Sequence, residues 1–135
     1  MKNFLVIEDN CDDAVLIKRA FKATDSCHAF ICRNLSEAKA YLDGAGMYAN
    51  RNEHPFPNAV ISDMHLGIES AVDFLKWLKG SSEFNPLPVF ILTGTASTRE
   101  AALAKELGAL EVFRKPSKYE DLKGLVRDVA AKLRT

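Results

Sequence analysis

Residues 59–66 read AVISDMHL. Ala59 to Ser62 is a short, nearly unbroken apolar run, the pattern of a strand covered on both faces rather than one that alternates between core and solvent. A carboxylate, Asp63, ends it. Working outward, similar β-branched and aromatic runs lie at Phe4 to Ile7, Ala29 to Cys32, Val89 to Leu92 and Ala109 to Phe113. Each is followed by a stretch with helical spacing and a start signal. Asp12 or Cys11 opens the first helix. Asn34 with Glu37 forms a capping box for the second, through Tyr41 and Leu42. The third runs from about Ser70 to Leu78 and stops at Gly80. Ser97 with Glu100 starts the fourth, which Gly108 ends, and Ser117 with Glu120 starts the fifth. Parallel neighbours need crossover connections, so five β-α units predict one doubly wound α/β domain over residues 1–135, with a five-stranded parallel sheet and five helices. Gly44 to Asn58, with Pro55 and Pro57, is longer than a usual connection and reads as an ordered lobe, a partner surface or a tolerated insertion.

Composition narrows the function. The chain has 135 residues, 47% hydrophobic and 27% charged, with 18 Lys and Arg against 18 Asp and Glu. That length suits one core, and the zero net charge provides no basic surplus for nucleic acid or anionic lipid. No apolar run approaches the ~20 residues of a spanning helix. Cys11, Cys27 and Cys32 match no zinc or redox spacing, which points to a reducing cytoplasm. Cys27, His28 and Cys32 therefore read as strand residues, and Trp77, Phe74 and Leu78 as packing.

In open α/β sheets, ligands bind beyond the carboxyl ends of the strands. The first strand ends in Glu8-Asp9, the third in Asp63, the fourth in Thr93 and the fifth in Lys115-Pro116. Three carboxylates, a hydroxyl and an ammonium thus collect at one rim. Crowded carboxylates repel, and a hard divalent cation such as magnesium removes that penalty. Lys115 brings a point charge suited to a phosphoryl oxygen, and Asp63 can act as a nucleophile that forms an acyl phosphate. Asp12 and Asp13 read as first-turn acids that favour the helix dipole rather than as ligands.

These residues at this spacing resemble the receiver domain of two-component response regulators, a flavodoxin-like fold. The matching stretches are FLVIED at 4–9, VISDMHL at 60–66, FILTG at 90–94 and the segment from Gly108-Ala to Phe-Arg-Lys-Pro at 113–116. The resemblance implies that Asp63 accepts a phosphoryl group from a sensor histidine kinase, with Mg2+ held by Glu8, Asp9, Asp63 and the backbone carbonyl of His65. It makes Thr93 the switch hydroxyl, Lys115 the essential lysine, and His65 and Thr95 the variable residues flanking the phosphoryl group. A backbone amide near Met64 becomes a further donor, and the Lys115-Pro116 bond is similar to one that is commonly cis. The signal would leave through a changed surface around the fourth helix, fifth strand and fifth helix, toward a downstream protein or a second copy in a homodimer. The segment before the third strand is similar to that of small stand-alone receivers paired with bacterial phytochromes. With about 20 residues after Lys115, the expectation is a receiver without an output domain.

Three positions depart from the family pattern. Gly67 stands where proline is usual and Ala71 where glycine is common, which points to a more mobile loop. Val112 replaces the aromatic switch residue; Phe113 is adjacent but faces the other side of the strand, so Thr93 movement would be relayed without an aromatic rotamer change. A magnesium-dependent phosphohydrolase with an aspartyl nucleophile is the second reading, although such enzymes carry an acid where His65 stands. A degenerate receiver that binds partners without phosphorylation is the third. A nucleotide- or flavin-binding protein fits least, because the Glu8-to-Asp12 turn is acidic and has no glycine.

Overall fold

The computed structural model describes residues 2–25, 27–94 and 98–133. From the amino end, β1 (Lys2–Ile7) leads into α1 (Cys11–Lys22), and β2 (Cys27–Cys32) into α2 (Leu35–Asp43). β3 (Ala59–Asp63) passes through a small hairpin, β4 (His65–Leu66) and β5 (Glu69–Ser70), into α3 (Ala71–Lys79). β6 (Val89–Thr93), α4 (Thr98–Glu106), β7 (Glu111–Arg114) and α5 (Tyr119–Lys132) complete the order. The main sheet runs β2-β1-β3-β6-β7 with every pairing parallel. This is the five-stranded, doubly wound architecture expected from the sequence.

The central strands β1, β3 and β6 bury both faces over most of their length, which explains their unbroken apolar runs, while the edge strands β2 and β7 are only partly covered. Phe4, Val6, Ile61, Phe90 and Leu92 pack against α1 and α5, while Leu5, Ile7, Val60 and Ile91 pack with α2, α3 and Ala104 of α4. Val112 joins the second of these clusters, and Phe113 lies on the other face, stacked on Phe90 at 6.2 Å between centroids. Among the described residues no helix is long and apolar enough to cross a membrane.

Several boundaries differ from the sequence expectation. Asn10, rather than Cys11 or Asp12, caps α1: its Oδ1 accepts the Asp13 amide at 3.0 Å, with Asp12 and Asp13 in the first turn. Asn34 caps α2 as expected, accepting the Glu37 amide at 2.8 Å, but the Glu37 carboxylate takes the Arg33 amide instead of closing the box. α5 starts after Lys118, so Ser117 sits one position too early to cap it. Ala109 lies in the connection between α4 and β7 rather than in a strand, its amide closing the turn after α4 on the Ala104 carbonyl at 2.9 Å. Ser97 lies outside the described residues.

The loop after Asp63 is an ordered hairpin in which His65 pairs with Ser70 and Leu66 with Glu69. Its turn depends on Gly67 at φ +68°, a left-handed conformation closed to proline, whose ring fixes φ near −65°. The glycine therefore gives this loop a course that the family's usual proline excludes. Nor is any peptide bond among the described residues cis, so Lys115-Pro116 is trans, against the resemblance.

The long connection is an ordered lobe. Arg51 turns back on the end of α2, donating to the carbonyls of Tyr41 at 2.8 Å, Leu42 at 2.9 Å and His54 at 3.2 Å. A cation here suits both the orphan carbonyls and the negative end of the helix. The Tyr41 hydroxyl donates to the Pro55 carbonyl at 2.9 Å, and the rings of Tyr41, Tyr48 and His54 pack together.

Candidate functional site

Parallel pairing brings the carboxyl ends of β1, β3, β6 and β7 to one rim. Ile7 lies beside Ser62 and Asp63 beside Leu92, so Glu8 and Asp63 leave neighbouring strands at similar height. At the next strand the Lys115 amide donates to the Thr93 carbonyl at 2.7 Å, fixing where the lysine side chain begins. Thr93 is itself buried at the end of β6. The sheet thus gathers Glu8, Asp9, Asp63, Thr93 and Lys115 from four segments far apart in sequence.

The side chains converge on one ammonium. Lys115 Nζ donates to Glu8 Oε1 at 2.6 Å, Asp13 Oδ2 at 2.9 Å and Asp63 Oδ2 at 3.2 Å. Glu8 is 1% exposed, Asp63 15% and Lys115 20%. Burial raises the Glu8 carboxyl above its usual value and the charge of Asp63 adds to this, while the hydrogen bond from Lys115 works to keep it ionised. Burial also opposes the Lys115 charge, yet the hydrogen bonds of Glu8 and Asp13 and the charge of Asp63 outweigh it and hold the ammonium's pKa above the ordinary range. The Glu8 Oε2 accepts the Asn10 amide at 3.2 Å, which ties the acidic turn to the cap of α1.

Glu8, Asp9 and Asp63 each place a carboxylate oxygen within 4.8 Å of the others, close enough to share one ion. This all-oxygen, all-anionic donor set fits a hard divalent cation. Asp9 is exposed, so the site opens to solvent on its side.

Other expected contributors are placed differently. His65 turns its Nε2 to Glu100 Oε1 of α4 at 3.2 Å, joining the hairpin to the fourth helix. The Met64 amide is committed to the sheet, donating to the Leu92 carbonyl at 2.7 Å, so it is not a spare donor for a phosphoryl group. Thr95 lies outside the described residues. Asp13 is the residue sequence reasoning set aside: its place in the first turn of α1 explained it, and only the contact with Lys115 across 102 residues reveals a second role. Cys27 and Cys32 are buried and His28 is exposed, as strand residues would be.

Known proteins resemble the chain in sequence and in fold. No protein-family model matches the chain. It is 29% identical over 93% of its length to the probable methanogenesis regulatory protein FilR2 of Methanothrix harundinacea, covering 79% of that protein. It is 28% identical over 76% of its length to the response regulator Rre1 of Synechocystis, covering 40% of it. Among solved structures, the response regulator RPA3017 in red light signaling of R. palustris aligns with TM-score 0.87 and 21% identity, over 96% of this chain and 91% of that one. The Mn2+-bound form of response regulator Rcp1 aligns with TM-score 0.81 and 23% identity, over 97% and 93%. The phosphorylated cyanobacterial phytochrome response regulator RcpA aligns with TM-score 0.82 and 24% identity, over 95% and 90%. The fold is that of a response-regulator receiver of two-component systems. Within that class, its structural neighbours include the receivers that serve phytochromes.

Proposed function

We propose that this receiver accepts a phosphoryl group on Asp63 from a sensor histidine kinase and signals through the resulting change of surface. The observation that carries this is the convergence of Glu8, Asp9 and Asp63 within reach of one cation, with Lys115 bonded to Asp63. Phosphoryl transfer asks little of a protein beyond in-line positioning and neutralisation of charge. Glu8, Asp9, Asp63 and the carbonyl of His65 are the groups proposed to hold Mg2+, which when bound would neutralise charge on the incoming phosphoryl oxygens. Asp63 supplies the attacking oxygen, and Lys115 the protein's own positive charge. Thr93, at the end of β6, is the hydroxyl proposed to follow the phosphoryl group and shift the loop leading to α4.

The surface of α4, β7 and α5 is the proposed readout, toward a downstream protein or a second copy. The phytochrome assignments of the neighbouring structures favour a phytochrome-like kinase as partner, acting in the cytoplasm. His65, which stands where an aspartyl phosphohydrolase would carry its acid, favours a signalling protein over an enzyme. Incubation with acetyl phosphate and Mg2+ is expected to add one phosphoryl group to the wild type and none to Asp63→Asn or to protein stripped with a chelator. An unchanged gain in Asp63→Asn would reject the assignment.

A further inference from the structure

Lys115 uses all three of its N–H donors on carboxylates, at 2.6 Å to Glu8, 2.9 Å to Asp13 and 3.2 Å to Asp63. An ammonium has no fourth donor. In the phosphorylation proposed above, on which this inference rests, an oxygen of the Asp63 carboxylate forms a bond to phosphorus with its own electron pair. The bond from phosphorus to the donor's leaving atom breaks, and that atom departs with its pair. The negative charge that faced Lys115 on Asp63 then sits farther out, on the phosphoryl oxygens. The donor that met Asp63 can follow that charge only as the ammonium moves outward, and the movement stretches its contacts with Glu8 and Asp13.

Burial decides which partner is surrendered. Glu8 is 1% exposed, and stranding its charge without a counter-ion in a low-dielectric site is strongly unfavourable. Asp13 is 39% exposed in the first turn of α1, where water and the positive end of the helix remain to stabilise it. Its backbone is fixed independently, because the Asp13 amide is held by the Asn10 cap. The carboxylate can thus let go of Lys115 without disturbing the helix.

We propose that Asp13 is a positioning residue for phosphoryl transfer: a releasable counter-anion that holds Lys115 over unmodified Asp63 and opposes its turn toward the phosphoryl group. The same contact has a second consequence. By drawing part of the ammonium's charge to itself, Asp13 leaves Glu8 and Asp63 more negative and so favours cation binding at the rim. Phosphorylation rate and metal affinity should therefore move in opposite senses when Asp13 is neutralised.

The test compares Asp13→Asn with Asp12→Asn, the same charge change in the same helical turn at an exposed residue that does not meet Lys115. At saturating Mg2+, Asp13→Asn is expected to take phosphate from acetyl phosphate about two- to fivefold faster than wild type, the range of one partly exposed ion pair. Its Mg2+ dissociation constant, measured by calorimetry without phosphodonor, is expected to rise by about the same factor. Asp12→Asn should change neither, and Asp13→Glu should return both toward wild type. A role confined to the helix dipole would lower the melting temperature of Asp12→Asn and Asp13→Asn alike and leave the rate at saturating metal unmoved. Wild type that is phosphorylated, with Asp13→Asn matching Asp12→Asn in rate and metal affinity, overturns this proposal alone. Wild type that takes no phosphate overturns the phosphoacceptor assignment and this proposal with it.

Discussion

Gly67 shows how a single residue changes the surroundings of a site without touching its chemistry. At φ +68° it permits the tight hairpin after Asp63, and nothing lies within 4 Å of where a Cβ would stand, so backbone conformation alone determines the effect of a side chain there. Gly67→Ala should destabilise the fold by about 1 kcal/mol, the usual penalty for an L-residue in the left-handed region. Urea unfolding would check this, and an unchanged midpoint would mean that the turn relaxes to another form. The absence of proline was visible in the sequence, but read as mobility; the hairpin pairing that glycine allows was not. Glu8, Asp9, Asp63, Thr93 and Lys115 were legible because a parallel sheet fixes where strand ends meet. Asp13 was not, since a local explanation sufficed and the contact that matters comes from another strand.

At the scale of elements, the five strands were readable because burial, complete on both faces in the central ones, leaves a nearly unbroken apolar signature. The lobe between α2 and β3 left no such trace: its main fastener is one guanidinium donating to three backbone carbonyls, and carbonyls carry no sequence signal. Arg51→Ala strands those acceptors and should remove roughly 1–3 kcal/mol of stability. A second measurement reports on the lobe itself. Burial, with the neighbouring Cys32, raises the Tyr41 and Tyr48 phenols to about 12 from an ordinary 10.0. A pKa raised in the folded state means that these groups support folding fully below the unfolded value near 10 and that this support is lost as pH rises through about 12. In an ultraviolet titration, loosening the lobe by Arg51→Ala should bring the Tyr48 phenol back toward pH 10, whereas Tyr41 also loses the lowering effect of the Arg51 charge and stays high; no ionisation shifted toward pH 10 would show that the lobe stays closed without Arg51.

For the whole molecule, balanced net charge conceals a strongly uneven distribution, with Glu8, Asp13 and Asp63 gathered around Lys115 and Asp9 beside Glu8 and Asp63 at one rim. A divalent cation held at such a rim, as proposed, would stabilise the folded state by mass action. Mg2+ at a hundred times its dissociation constant should stabilise the protein by about 2.7 kcal/mol, seen as a rise in melting temperature. Asp9→Asn should abolish most of that rise without lowering the metal-free melting temperature, since Asp9 is exposed and its carboxylate lies among other carboxylates. A full metal-dependent rise in the variant would place the cation elsewhere.

The most direct test of the central claim is to locate the phosphoryl group chemically. Borohydride reduces an acyl phosphate to an alcohol, converting a phosphorylated aspartate to homoserine, which peptide mass spectrometry reads at residue resolution. After treatment with acetyl phosphate and Mg2+, the account predicts homoserine at Asp63 and at no other carboxylate. Homoserine at another residue, or none in protein that has remained folded, would contradict it.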